Sequence, residues 1–134
     1  LNLGIADGVL RKAVAGRVES PYLMVVEAKK GVESQHPVFQ LYGQLLASAY
    51  LNWENDPQPI QEVFGCYTIA DTWKFVRAEI QNLETDKPTM RLEYSKEYAE
   101  KYEAEIVLKI LKLIVAKMLV NSVGAVTKDL SFFS

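Results

Sequence analysis

Tyr22-Leu23-Met24-Val25-Val26-Glu27-Ala28-Lys29-Lys30 is the stretch on which the reading of this chain turns. An apolar, partly β-branched run ends abruptly in charge, the pattern of a central strand covered on both faces. Strand side chains alternate, so Glu27 and Lys29 share one face while Val26 and Ala28 take the other. A carboxylate and an ammonium therefore stand side by side at the rim of a buried sheet. Charge in such a place loses hydration unless it is paired or used.

Upstream, Ile5 to Val14 reads as a strand, and Ala15 to Pro21 supply the Gly, Ser and Pro of a turn. The two strands then form an antiparallel hairpin. With the turn centred near Val18, Asp7 falls opposite Lys29 and diagonal to Glu27, on the same face. A single bulge reverses that parity.

Downstream the period changes. Val38, Leu41, Tyr42, Leu45 and Ala49 recur at helical spacing after Pro37, predicting a helix from Pro37 to Leu51 that begins near His36. Asn52, Asp56, Pro57 and Pro59 end it. A strand over Ile60 to Ala70, a tight turn at Asp71 and Thr72, a strand over Trp73 to Ile80, a polar loop over Asn82 to Pro88 and a short strand over Met90 to Tyr94 follow. Cys66 reads as a buried strand residue, and Trp73 and Phe75 as core aromatics rather than base-stacking platforms.

Ser95 is the expected N-cap of a last helix, residues 96–120, with Glu97, Glu100 and Glu103 near its positive end and Lys109 to Lys117 toward its negative end. On its wheel Glu105, Lys109, Lys112, Ala116 and Lys117 form a polar strip, and apolar side chains fill the rest. Two readings of so wide an apolar surface stay open: a core helix in a larger layer, or a homodimer or larger-complex contact. The tail, residues 121–134, offers only Phe132 and Phe133 as docking side chains. The whole predicts an α/β fold, a mixed central sheet flanked by helices.

The chain has 134 residues, 49% of them hydrophobic, which suits one domain spanning 1–134. A net charge of -2 gives no bulk attraction to a polyanion, so any nucleic-acid contact has to be local. A single cysteine cannot form an intrachain disulfide, which agrees with a reducing, cytoplasmic setting. The apolar stretch Ile106 to Val120 is interrupted by Lys109, Lys112 and Lys117, against a membrane span. The sequence opens at Leu1 without a secretory leader pattern, leaving room for an upstream segment.

Asp7, Glu27-x-Lys29 on the next strand and a following helix with Gln40 resemble the PD-(D/E)xK nuclease superfamily, whose fold is restriction-endonuclease-like. Gly65, Thr68 and Trp73-Lys74-Phe75 also resemble the strand pair after the active-site helix in the nuclease domains of type I restriction motor subunits. The order of elements agrees with that family too. Ala6 stands where the motif has proline, Gln44 stands where one branch has tyrosine, and the family's additional acid on an N-terminal helix would precede Leu1.

The resemblance implies a Mg2+-dependent (or Mn2+-dependent) deoxyribonuclease, with DNA as partner. Asp7 and Glu27 are the implied metal ligands, with the Ala28 carbonyl as a third oxygen, a donor set suited to a hard cation. Bound metal lowers the pKa of its water and neutralises charge on the phosphate. Lys29 is implied to stabilise the developing negative charge, and Gln40 to steady the site. Glu27 with a neighbouring lysine also reads as a surface ion pair, and Gln40, opposite the apolar face of its helix, as a solvated glutamine. The competing function is a catalytically silent relative serving protein assembly or nucleic-acid binding.

Overall fold

The computed structural model describes residues 5–6, 9–11, 21–28, 36–122 and 132–133. Its elements run in the order β1 (Ile5–Ala6), β2 (Val9–Arg11), β3 (Pro21–Glu27), α1 (Pro37–Asn55), β4 (Ile60–Ile69), β5 (Thr72–Gln81), β6 (Thr89–Ala99) and α2 (Glu100–Asn121). The strands form one six-stranded sheet, ordered β1-β2-β3-β4-β5-β6. All neighbours are antiparallel except β3 and β4, which are parallel and joined by the crossover helix α1. A parallel pair needs such a crossover, because a tight turn can only reverse the chain. The sheet is thus mixed and helix-flanked, as the sequence predicts.

Each face of the sheet carries its own core. On one, Leu41, Leu45 and Ala49 of α1 pack with Val26, Val63, Tyr67, Val76, Ala78 and Ile80. On the other, Val107, Ile114 and Met118 of α2 pack with Leu23, Phe64, Cys66, Phe75 and Tyr98. Phe132 and Phe133, which the sequence leaves unplaced, pack against this second core, and Phe132 lies 4.8 Å from the Phe64 ring. Phe75 is fully buried and stacks with Trp73, in keeping with their reading as core.

Two local features set the shape of the central strands. Gly65 lies under α1, where a Cβ would stand 2.5 Å from Leu41 Cδ1, so the helix sits closer to β4 than any side chain there would allow. Ile69 pairs with Thr72, making Ala70 and Asp71 the turn, and Ala70 takes a left-handed φ of 54°. The Asp71 carbonyl accepts the Glu100 N–H at 2.8 Å, tying this turn to the start of α2.

Three expectations are corrected. The pieces of the Ile5–Val14 strand that are described, β1 and β2, pair with each other instead of forming one strand. Val9 pairs with Met24 and Leu10 with Leu23, whereas the register with Asp7 opposite Lys29 would set Val9 against Glu27. Met24 and Glu27 lie on opposite faces, so the slip exchanges faces, and a bulge at Arg11 shifts the pairing again.

The third correction concerns Ser95. It does not cap a helix; β6 runs on to Ala99 and α2 begins at Glu100. Lys74 pairs with Glu97 and Val76 with Tyr94, leaving Ser95 and Lys96 opposite Phe75 alone, in a bulge. The buried Ser95 Oγ accepts the Phe75 N–H at 2.9 Å, a donor the disrupted ladder cannot serve. The extra residue also resets the alternation, so Tyr98 reaches the α2-side core opposite Trp73. Where the Ser95 cap was expected, Glu103 Oε1 instead accepts the Ala99 N–H at 3.1 Å, and the helix kinks at Glu103.

Candidate functional site

Glu27 ends β3, exposed, beside Thr68 of β4. Ala28 keeps the chain on the ladder one residue further, its N–H donating to the Thr68 carbonyl at 2.9 Å. The carboxylate therefore stands at the carboxyl end of the parallel pair, where α/β sheets open their ligand crevices. Alternation assigns Glu27 to the face of Leu23 and Val25, the α2 side. Thr68, Trp73 and Tyr98 continue its row across β4, β5 and β6.

Of the other residues singled out in the sequence, Asp7 and Lys29 lie outside the described residues. Gln40 is exposed near the start of α1, which covers the opposite face of the sheet from Glu27's row. No hydrogen bond joins Gln40 to Glu27 among the described residues. Among those residues, no group of three or more His, Cys, Asp or Glu is arranged to hold a metal ion. The donors that are described, the Glu27 carboxylate and the Ala28 carbonyl, are hard oxygens of the type Mg2+ selects.

On the α1 side, the same end of the sheet carries a cluster of aromatics. His36 caps α1 through Nδ1, accepting the Val38 N–H at 3.2 Å, and its ring meets Tyr67 edge-on at 5.0 Å. Tyr42 of α1 shares a short hydroxyl–hydroxyl hydrogen bond with Tyr94 of β6. Lys74 Nζ lies 5.6 Å from the Tyr94 ring centroid, a cation–π distance. Burial raises the Tyr94 pKa, reinforced by the Tyr42 hydrogen bond, and burial with the Glu97 charge raises that of Tyr67. Both hydroxyls accordingly remain protonated, and His36 is committed to the helix cap.

A second polar centre lies at the other end of the α2 face, about 20 Å along β4 from Thr68 at ~3.3 Å per residue. Arg77 of β5 is buried, its Nε 2.5 Å from Glu62 Oε2 and a terminal nitrogen 2.8 Å from Glu79 Oε1. Asn121 Nδ2 donates to Glu62 Oε1 at 2.8 Å, and Lys117 Nζ stands 3.9 Å from it. Lys117 thus leaves the expected polar strip to join the network. Glu93 completes it, 3.9 Å from Arg77 and accepting the Phe132 N–H at 2.9 Å. Burial alone lowers the Arg77 pKa, but the hydrogen bonds and charges of Glu62 and Glu79 outweigh it and leave it raised.

Residue by residue, the sequence does not announce this network. Its signal was present: Glu79 sits opposite Glu62 in the register, with Arg77 one row on and two residues from Glu79 on the same face. The network joins β4, β5, β6, α2 and the Phe132 backbone, a structural role for charge inside a core.

Comparison with family models, with curated proteins and with solved structures finds no match to this chain. No helix among the described residues is long and apolar enough to cross a membrane.

Proposed function

We propose that this chain is a metal-dependent nuclease domain of the PD-(D/E)xK kind, with a restriction-endonuclease-like fold, hydrolysing phosphodiester bonds of DNA. The observation that carries the reading is the position of Glu27, exposed at the carboxyl end of β3, where the parallel strand β4 lies alongside. The succession of hairpin (β1 and β2), third strand, helix, further strands and a last helix supports it, being the order that the resemblance implies.

In this reading Glu27, Asp7 and the Ala28 carbonyl would hold Mg2+, which would supply an acidified water and offset charge on the phosphate. Lys29, two residues after Glu27 in the sequence, would stabilise the negative charge that develops on the phosphate oxygens. Gln40 enters only through the resemblance, as a residue that steadies the site.

The test is cleavage of supercoiled plasmid with Mg2+ or Mn2+. Wild-type chain is expected to nick or linearise it, and Glu27→Ala and Lys29→Ala to abolish the activity while melting at the wild-type temperature. Cleavage unchanged in both variants removes the assignment. The exposed apolar residues of α2 favour the second reading, a catalytically silent module for assembly or nucleic-acid binding. Retention of labelled duplex without cleavage is its signature.

A further inference from the structure

We propose that α2 pairs with α2 of a second copy of this chain, antiparallel, across a two-fold axis. The sheet and the Phe132–Phe133 pair occupy only part of this helix. Past the kink at Glu103, Ile106, Leu113 and Val120 remain 42%, 52% and 49% exposed. They recur every seven residues, a spacing that drifts only ~20° per heptad, so they form one continuous stripe on the outer face.

The charges beside the stripe say what covers it. The first turns of α2 carry Glu100, Glu103 and Glu105 against a single Lys101, and the later turns carry the exposed Lys109 and Lys112 with no acidic residue among them. A parallel partner would set acidic against acidic and basic against basic. An antiparallel copy sets each acidic half against a basic half, and two-fold symmetry makes every such contact twice. Glu105 and Lys112, both exposed, project about 20° apart on the same flank of the stripe. With Ile106 facing the partner's Leu113, Glu105 of one copy faces Lys112 of the other. Lys109, nearer the axis, follows Glu105 by one turn on its own helix, the spacing at which the two charges compensate each other. The same stripe offered to an unrelated protein would need no such division of charge along the helix.

The test is the mass of the full chain in solution by sedimentation equilibrium, a readout independent of any cleavage. A dimer is expected for the wild type. Leu113→Glu, at an exposed position, is expected to give a monomer with unchanged circular dichroism and a thermal midpoint that no longer varies with protein concentration. Glu105→Lys and Lys112→Glu are each expected to weaken the dimer roughly tenfold, and the two together to restore it. A wild-type monomer throughout the micromolar range overturns the proposal, whether the stripe stays open or another part of the chain covers it. So does a dimer that persists in Leu113→Glu. A double charge reversal that fails to recover affinity overturns the antiparallel arrangement.

Discussion

Leu41 of α1 rests directly on the bare α-carbon of Gly65 in β4. An added methyl there would stand 2.5 Å from Leu41 Cδ1 and 3.2 Å from Leu45 Cδ2, both in fully buried side chains. Gly65→Ala is therefore expected to destabilise the protein by about 1–3 kcal/mol, the usual penalty of overpacking. Adding Leu41→Ala should make the double variant less unstable than the sum of the single effects. Urea unfolding of the cycle measures this, and strict additivity would mean the two residues do not meet.

Ser95 serves the bulge rather than a helix. Its hydroxyl accepts the Phe75 N–H and donates to the Lys96 carbonyl at 2.7 Å. Ser95→Ala leaves the buried Phe75 donor unserved and is expected to cost about 1–3 kcal/mol. Hydrogen exchange of the Phe75 amide gives the local readout, which should rise more than that of its neighbours on β5.

Arg77 neutralises carboxylates that have little water around them. Arg77→Met strands Glu62 and Glu79 without their cation, and a loss of about 3–5 kcal/mol is expected from equilibrium unfolding. Lys117, at 3.9 Å and partly exposed, should matter far less: Lys117→Ala is expected to cost under about 1 kcal/mol. Equal losses in the two variants would contradict this ranking.

Burial pushes the Cys66 thiol up from 9.0 to about 12. Across that interval the unfolded chain gives up its thiol proton while the folded chain keeps it, so folding stability falls as pH climbs from about 9 through about 12. Below that window the thiol contributes no pH dependence. Unfolding midpoints taken at rising alkaline pH should decline, and less steeply in Cys66→Ala. Tyr67 and Tyr94, also raised, act in the same direction and contribute to the slope that remains.

The parts of the fold legible in the sequence are those whose pattern is local. Pro37 with the following apolar period locates α1, and the hydrophobic runs locate β4 and β5. What escaped depends on partners far along the chain. The bulge at Ser95 exists because Phe75 is across from it, so Ser95 alone reads as an ordinary cap. The register of β2 on β3 has a parity that no periodicity reveals. Glu62, Arg77 and Glu79 look like surface charges until their strands are aligned.

For the candidate site, the exposed strand end at Glu27 was readable from the abrupt change from apolar to charged. The exposure of Gln40 was readable too, because its wheel position opposes the apolar face. Asp7 and Lys29 lie outside the described residues, so their part in the site rests on sequence.

The tight turn at Ala70 sets an order for assembly. β4 pairs with β5 and β5 with β6 across short connections, but β3 reaches β4 only after the whole of α1 has been gathered in. Closing the shorter loop sacrifices less chain freedom, so the antiparallel meander is expected to form before the parallel contact. Ala70→Gly, which relaxes the left-handed turn residue, should then speed refolding, while Val26→Ala on β3 should mainly speed unfolding. Stopped-flow chevrons separate the two effects. The strand end that carries Glu27 is, on this account, the last part of the sheet to be completed and the first to be released.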